Sequence, residues 1–223
     1  MDNDEYKIQI VSDTNEKHDL FAKVQVIGDL GVGKTSIVKR IIKNEFDEDY
    51  IPTIGYDFNP YLIKVNNTTI KFQIWDMCGN DNYHSVVLNL YRNAVLGILV
   101  YSVCSRQSFN HLDNWIEELK NNAMAGSKII LIGNKNDNEE KREVSYEEGK
   151  KICEKYKLDF FLEISAKKGF SSPNFLEKAA IILYNDYILN NDESTLKTQN
   201  LSIKLSKGLN SRSRKKKFCY FFD

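Results

Sequence analysis

A glycine-rich stretch between an apolar run and a helical pattern constrains this chain more than any other feature. Residues 28–36 fit the pattern G-x-x-x-x-G-K-[ST] at Gly28, Gly33, Lys34 and Thr35. In this pattern the backbone N–H groups surround phosphates, the lysine reaches the β and γ oxygens, and the hydroxyl binds Mg²⁺. The stretch therefore predicts a nucleoside triphosphate as ligand, provided that a strand precedes it and a helix follows it.

Strand and helix patterns flank this loop in the required order. The apolar run 20–27 ends at Gly28, and residues 35–44 repeat Ile and Val at helical spacing. Further strands are predicted at 61–65, 69–75, 95–101, 128–132 and 160–164. The first two of these are separated by a short turn, which indicates a hairpin. Further helices are predicted at 108–121, 145–157 and 173–189. This alternation predicts a mainly parallel sheet with helices on both faces.

Charge is distributed unevenly along a chain whose net charge is zero. Residues 1–19 contain six acidic and two basic residues, whereas residues 191–223 contain eight basic and three acidic ones. We therefore predict an acidic flexible N-terminus over 1–19, a folded nucleotide-binding domain over 20–190, and a flexible basic tail over 191–223. The nearly neutral body argues against a nucleic-acid partner, and the basic tail favours an anionic surface.

The cysteines and the apolar runs restrict the remaining classes. Cys78, Cys104, Cys153 and Cys219 form no C-x-x-C pair, and the three histidines do not cluster with them. A zinc site or a disulfide framework is therefore not expected. The N-terminus has no signal-peptide pattern, and no apolar run reaches the ~18 residues of a spanning helix. We expect a cytoplasmic protein, or one peripheral on the cytosolic face of an internal membrane.

Polar residues follow several of the predicted strands. Asp76 lies at a strand end, where P-loop enzymes hold Mg²⁺, although such an acid is often a turn former. In the stretch 134–137, Asp137 can accept two N–H donors from a guanine edge, which adenine cannot supply; the alternative is a polar turn. For Thr53, and for the stretch Ser165-Ala-Lys167, the alternative is likewise a plain turn without a ligand.

Six motifs taken together resemble a known family. They are GDLGVGKTS, PTIGYDF, KFQIWD, GNKND, KREVSYEEG and SAK, and they span about residues 22–190. In this combination the chain resembles a small GTPase of the Ras superfamily, and within it the Rab branch. The resemblance implies an α/β fold, the P-loop NTPase G domain, with a six-stranded, mostly parallel sheet, one antiparallel strand, and helices on both faces. It also implies a monomeric GTP/GDP switch in vesicle trafficking that meets an exchange factor, an activating protein and effectors.

The resemblance also implies the residues that hold the nucleotide. Asn134 and Asp137 read guanine, Lys135 packs along the base, and Ala166 donates its N–H to the guanine oxygen. Lys167 covers the other face of the base. The full set of implied nucleotide-binding residues is Gly31, Val32, Gly33, Lys34, Thr35, Ser36, Phe46, Thr53, Gly79, Asn134, Lys135, Asp137, Ser165, Ala166 and Lys167.

Magnesium and the switching step follow from the same resemblance. Thr35 and Thr53 ligate Mg²⁺, with Thr53 doing so only in the triphosphate state, and Asp76 acts on Mg²⁺ through water. Lys34 contacts the β and γ phosphates, and Gly79 donates its N–H to the γ-phosphate. Loss of the γ-phosphate would then release Thr53 and Gly79, so that residues of about 47–57 and 77–90 lose order.

One departure from the family concerns the catalytic position. The family motif is D-x-x-G-Q, but this chain has Asp76-Met-Cys-Gly-Asn80. The family's Gln orients the attacking water. Asn80 carries the same amide on a stem shorter by one carbon, about 1.5 Å. With Asn80 and Lys34 as the catalytic residues, slow hydrolysis is predicted; the alternative is that the surrounding loop shifts to compensate.

A second departure is Leu30, in the phosphate-binding loop. It lies near the position where an activating protein's arginine would enter, and a large side chain there could obstruct that arginine. The alternative is that Leu30 packs on the neighbouring switch.

The tail is the third departure. Cys219 stands fifth from the end, so a C-a-a-X box fails. Rab-type lipidation tolerates more variation, so a single lipid on Cys219 is still compatible with the sequence. The basic run 212–217 and the aromatic residues around Cys219 predict a membrane anchor, with a plain solubilising or nuclear-type basic run as the alternative.

Two other function classes compete with the switch. A GTP-locked protein or pseudo-GTPase would serve as a scaffold without significant hydrolysis, and Asn80 favours this class. A P-loop kinase would need an acceptor site and a lid, for which the sequence offers no pattern, and it would leave the stretch 134–137 unexplained.

Overall fold

The computed structural model describes residues 6–49, 51–79, 90–169, 175–204 and 220–221, with side chains described as far as residue 189. The predicted Asn80 and Cys219 lie outside these residues, as does most of the predicted second switch. Within the described residues, no helix is long and apolar enough to cross a bilayer.

One sheet of eight strands forms the centre of the domain, in the order β1-β3-β4-β2-β5-β6-β7-β8. The strands are β1 Ile8–Val11, β2 Leu20–Ile27, β3 Tyr56–Val65, β4 Thr68–Met77, β5 Leu96–Ser102, β6 Lys128–Asn134, β7 Phe160–Ile164 and β8 Tyr220–Phe221. β3 pairs antiparallel with β1 and with β4, and all other neighbours are parallel. The predicted α/β fold with a mostly parallel sheet is confirmed.

In the described part of the chain, five α-helices cover the two faces of this sheet. They are α1 Lys34–Lys43, α2 Arg106–Asn110, α3 Leu112–Asn122, α4 Tyr146–Tyr156 and α5 Phe175–Lys204. Side chains of α1 and α5 join one buried cluster with one face of the sheet, and those of α3 and α4 join a second cluster with the opposite face. Every residue of β5 is buried because this strand lies between the two clusters. A strand that is buried on both faces needs apolar residues at every position, which explains the continuous apolar sequence of β5.

The sheet is wider than the six predicted strands by one strand at each edge. β1 lies inside the segment predicted as a flexible N-terminus and pairs Ile8 with Val65 and Val11 with Leu62. β8 pairs Tyr220 with Phe160 on the opposite edge. Both are short edge strands in polar or charged surroundings, where hydrophobic periodicity gives a weak signal.

Two helices differ from their predicted bounds. The predicted helix 108–121 is divided at His111 into α2 and α3, and α2 begins earlier because Ser105 caps it by accepting from Ser108 N. α5 continues past its predicted end at residue 189 to Lys204, within the predicted flexible tail. The predicted capping box of α4 is present, with Ser145 and Glu148 bonded reciprocally.

This architecture brings the polar motifs to one edge. β2, β4, β6 and β7 are parallel to one another or to shared neighbours, so their carboxyl ends meet on the same side of the sheet. The motifs that follow these strands therefore converge, as expected for a ligand site in an open α/β sheet.

Candidate functional site

The predicted phosphate-binding loop connects the end of β2 to the start of α1. Gly33 precedes the helix with a left-handed φ of 99°, and a Cβ there would lie 2.2 Å from Asn134 Nδ2, so only glycine fits. The N–H groups of the first turn, including that of Ser36, have no partner within the helix. Together with the positive end of the helix dipole they are suited to an anion, and Gly31 and Val32 lie in the same loop.

Lys34 lies buried beneath this loop. Its Nζ donates to the carbonyl oxygens of Gly28 and Asp29, at 2.8 Å each. Burial lowers the pKa of Lys34 to about 8, and the nearby Asp76 carboxylate opposes this shift. At neutral pH the ammonium group therefore remains mostly charged, held in place by two carbonyls, where an anionic ligand would complete its surroundings.

Three oxygen-bearing side chains from separate segments meet beside Lys34. The Thr35 hydroxyl donates to Asp76 Oδ2 at 2.5 Å, and the Thr35 and Thr53 hydroxyl oxygens lie 2.7 Å apart. Thr35 begins α1, Asp76 lies near the end of β4, and Thr53 belongs to the link before β3. The structure thus brings together all three residues that the sequence predicts as magnesium ligands.

The electrostatics of Asp76 fit a cation at this point. Its side chain is buried, and its Oδ1 has no hydrogen-bond partner among the described residues. Burial raises the pKa of Asp76 to about 6, although the Thr35 hydroxyl and the Lys34 charge act in the opposite direction. Hard oxygen donors of this kind are the ligands that Mg²⁺ prefers. An ion here would supply the partner that Asp76 lacks.

Gly79 lies directly against the phosphate-binding loop. A Cβ on Gly79 would be 2.5 Å from Lys34 Nζ and equally close to the backbone between Asp29 and Leu30. The segment that leads to Asn80 is therefore in contact with the phosphate side of the site. Leu30 presents a side chain that is 52% exposed at this place.

The loop is tied to helix α3 by a contact that the sequence did not predict. Asp29 Oδ1 accepts from Trp115 Nε1 at 2.8 Å, and Asp29 Oδ2 lies 2.7 Å from His111 Nδ1. Asp29 occupies a free position of the loop motif, so its role could not be read from the pattern. Its carboxylate fixes the bend whose carbonyl accepts from Lys34.

Asn134 connects the phosphate side to the predicted guanine side. It is buried at the end of β6, where its Nδ2 donates to Val32 O at 2.9 Å and its Oδ1 accepts from Ala166 N at 3.1 Å. Ala166 was predicted to donate the same N–H to guanine. In the structure the side-chain amide of Asn134 therefore joins the phosphate-binding loop to the loop after β7.

The rest of the stretch 134–137 lines the same edge. Lys135 has a positive φ of 69°, and its Nζ donates to Gly31 O at 2.7 Å across the mouth of the loop. Asp137 is half-buried, and its carboxylate forms no hydrogen bond within the described part of the chain. It is therefore available as an acceptor for a ligand.

The remaining predicted base contacts surround this position. Ser165 Oγ accepts from Lys168 N at 2.9 Å and shapes the turn that presents Ala166. Lys167 Nζ forms an ion pair with Glu48 Oε1 at 3.1 Å. Phe46 is half-buried against the core cluster on the α1 face. Arg40, which the sequence did not single out, donates to two carbonyls of the Ala166 turn.

Comparison with known proteins agrees with this geometry. The model of the Ras family matches residues 23–183. Ras-related protein Rab-11B of Dictyostelium discoideum is 41% identical over 67% of this chain and 68% of its own length. Ras-related protein Rab11A of Lotus japonicus is 41% identical over 78% of this chain and 76% of its own. Ras-related protein Rab-13 of Bos taurus is 37% identical over 82% of this chain and 88% of its own.

The matched residues include every strand and loop that builds the site, from β2 to the turn after β7. The relatives cover the domain at well above the identity needed to show common descent. This chain therefore belongs to the Ras family, as a Rab-like small GTPase.

Proposed function

We propose that the carboxyl edge of this sheet binds GTP or GDP with Mg²⁺, and that the bound state of the nucleotide is read by partners on an internal membrane. The observation that carries the proposal is the buried amide of Asn134. It joins the phosphate-binding loop to the turn at Ala166, and it begins the stretch that carries the acceptor Asp137, so one connected structure would hold both the phosphates and the base.

The main residues of the site have separate roles in binding the nucleotide. Lys34 neutralises phosphate charge, and the first turn of α1 supplies N–H donors. Thr35 and Asp76 hold Mg²⁺, which balances the charge of the phosphates when bound. Asp137 accepts from the N–H groups of guanine. Ala166 would redirect its N–H from Asn134 Oδ1 to the guanine oxygen.

The switch itself rests on two segments beside the phosphates. Among the described residues, the Thr53 side chain makes one hydrogen bond, to the Thr35 hydroxyl, and Gly79 lies against Lys34. In this scheme both residues adjoin the γ-phosphate. Presence of that phosphate would hold Thr53 and Gly79 in position, and its loss would release them. Effectors and regulators would recognise these segments.

Hydrolysis is expected to be slow because the side chain of Asn80 is shorter than that of Gln. Asn80 follows Gly79, whose backbone lies against the phosphate-binding loop, and its amide reaches about 1.5 Å less far than that of Gln. A misplacement of about 1 Å can cost ~100-fold in rate. The half-exposed Leu30 stands beside the same place and would obstruct an arginine inserted by an activating protein.

A scaffold without turnover is the second candidate, and Asn80 is the observation that favours it. The nucleotide that remains bound to the purified protein separates the two. We expect GDP, the product of slow hydrolysis, when the protein is analysed by chromatography after denaturation. GTP would indicate stalled chemistry, and the absence of any nucleotide would contradict the proposed site.

The burial of Asp76 predicts a pH effect in the nucleotide-free protein. Because the pKa of Asp76 is raised to about 6 in the fold from an ordinary value of 3.8, its carboxyl stabilises the fold most below pH 4. This contribution is lost as the pH rises to 6. Asp76→Asn should remove this loss, so that the variant gains about 2 kcal/mol relative to wild type between pH 4 and pH 6.

Urea unfolding at both pH values measures this difference in the free energy of unfolding.

The Asp76→Asn variant also tests the metal site. Once loaded with nucleotide, it should no longer hold the nucleotide more tightly when Mg²⁺ is added. A nucleotide affinity that still rises with Mg²⁺ as in wild type would exclude Asp76 from the metal site.

The hydrolysis proposal is tested by a series at one position. Single-turnover hydrolysis should be at least tenfold faster in Asn80→Gln than in wild type, because the longer side chain places its amide on the water. Asn80→Ala is the matched control and should equal wild type if the shorter amide has no function. A wild-type rate equal to that of Asn80→Gln would show that the loop compensates.

The tail is proposed to bind anionic membranes through the basic run 212–217. Each basic residue contributes up to ~1 kcal/mol near anionic lipid. Tyr220 and Phe221 pair with β7 as a two-residue strand. They belong to the aromatic residues predicted to join the membrane anchor, so they must leave the sheet when the tail binds. Lipid on Cys219 would add a second signal.

Vesicle sedimentation tests the tail with unlipidated protein. Full-length protein should bind vesicles that contain phosphatidylserine and release them at high salt, whereas a chain truncated after Gly208 should not bind. Neutral phosphatidylcholine vesicles are the control. Equal binding by the truncated chain would refute this role of the tail.

A further inference from the structure

The side chain of Arg40 joins two segments of the guanine side that are far apart in the sequence. Arg40 lies in the last turn of α1. Its Nε donates to Ala166 O at 3.0 Å, and its Nη2 donates to Lys167 O at 3.1 Å. Its Nη1 donates to Asn44 O at 2.7 Å. The planar guanidinium group thus uses three of its donors on three separate carbonyls.

Both segments carry a predicted contact to the base. Ala166 is the residue whose N–H is expected to meet the guanine oxygen. Asn44 ends α1 in a left-handed conformation with φ of 56°, and it directs the chain towards Phe46 two residues later. Arg40 therefore fixes the end of α1 and the turn at Ala166 relative to each other.

Two ion pairs of the segment that follows α1, one to the Ala166 turn and one to α1 itself, are exposed. Lys167 pairs with Glu48, and their side chains are 59% and 79% exposed. Lys39 pairs with Asp47, and their side chains are 43% and 56% exposed. Surface ion pairs of this kind contribute little because solvent screens them and the long side chains lose entropy. The contact of Arg40 Nε to Ala166 O is partly buried, whereas its contacts to Lys167 O and Asn44 O are exposed. All three go to backbone carbonyls, whose positions are fixed better than those of long side chains.

We propose that Arg40 is a positioning residue for the recognition of guanine. By holding the carbonyls of Ala166 and Lys167, it restricts the backbone of the turn and fixes the direction of the Ala166 N–H. The chemical group that this N–H would recognise is the 6-oxo group of the purine. The proposal rests on the guanine-nucleotide site proposed above.

Lysine could not replace Arg40 in full. An ammonium group is a compact point charge, whereas the guanidinium fork reaches several carbonyls in one plane. Arg40→Lys should therefore retain part of the effect, and Arg40→Ala none of it. The neighbouring Lys39 is a matched control because it lies on the same helix, pairs with the same segment through Asp47, and makes no contact with the Ala166 turn among the described residues.

Dissociation rates of two nucleotides test the proposal. GDP is compared with the diphosphate of 2-aminopurine riboside, which lacks the 6-oxo group and the N1–H but keeps the 2-amino group. Arg40→Ala should speed GDP dissociation about tenfold, which corresponds to one charge-assisted hydrogen bond. It should speed dissociation of the analogue less than threefold. Lys39→Ala should leave both rates within twofold of wild type.

The ratio of the two rates is measured within each variant, so that a general loss of stability cancels. If Arg40→Ala does not fold, the same ratio in Arg40→Lys decides, with a smaller shift of the same sign expected. Equal acceleration of both nucleotides, or no acceleration, would overturn the positioning role and leave the proposed function intact. A wild-type protein that bound neither nucleotide would overturn the proposed function, and this inference with it.

Discussion

The buried side chain of Asn134 is the interaction on which the rest of the site depends. It lies at the end of β6, donates to the phosphate-binding loop at Val32 and accepts from the turn at Ala166. The absence of a Cβ on Gly33 makes room for it. One amide thus connects three loops that follow three different strands. Because a buried amide without partners is costly, the three loops are fixed together rather than separately.

The phosphate side adds a second constraint, which is electrostatic. Lys34 and Asp76 are both buried. Burial lowers the pKa of Lys34 and raises the pKa of Asp76, and so favours the neutral form of each. A buried pair of this kind contributes little to stability by itself. It is well suited to a ligand that brings both negative phosphates and a divalent cation. The tether from Asp29 to Trp115 and His111 keeps the loop in place on the side of α3.

The sequence predicted most of the fold, and it predicted which residues the structure brings together at one edge of the sheet. Continuous apolar runs such as that of β5 and the loop motif at Lys34 carry strong signals, since burial on both faces and phosphate binding each require particular residues. The edge strand β1 was missed because an alternation as short as Ile8-Gln9-Ile10 in a polar segment is a weak signal. Asp29 and Arg40 were missed for a different reason. Their partners lie 82 to 127 residues away in the sequence, and only the folded chain brings them together.

The central claim is that this edge of the sheet recognises guanine, and relative affinity for two nucleotides tests it most directly. Competition between GDP and ADP for the nucleotide-free protein, in the presence of Mg²⁺, measures the contribution of the base alone. A site built to hydrogen-bond a substrate rejects an analogue that lacks the matching groups by about 10⁴-fold. The account predicts a preference for GDP of this order. Equal affinity for GDP and ADP would contradict it.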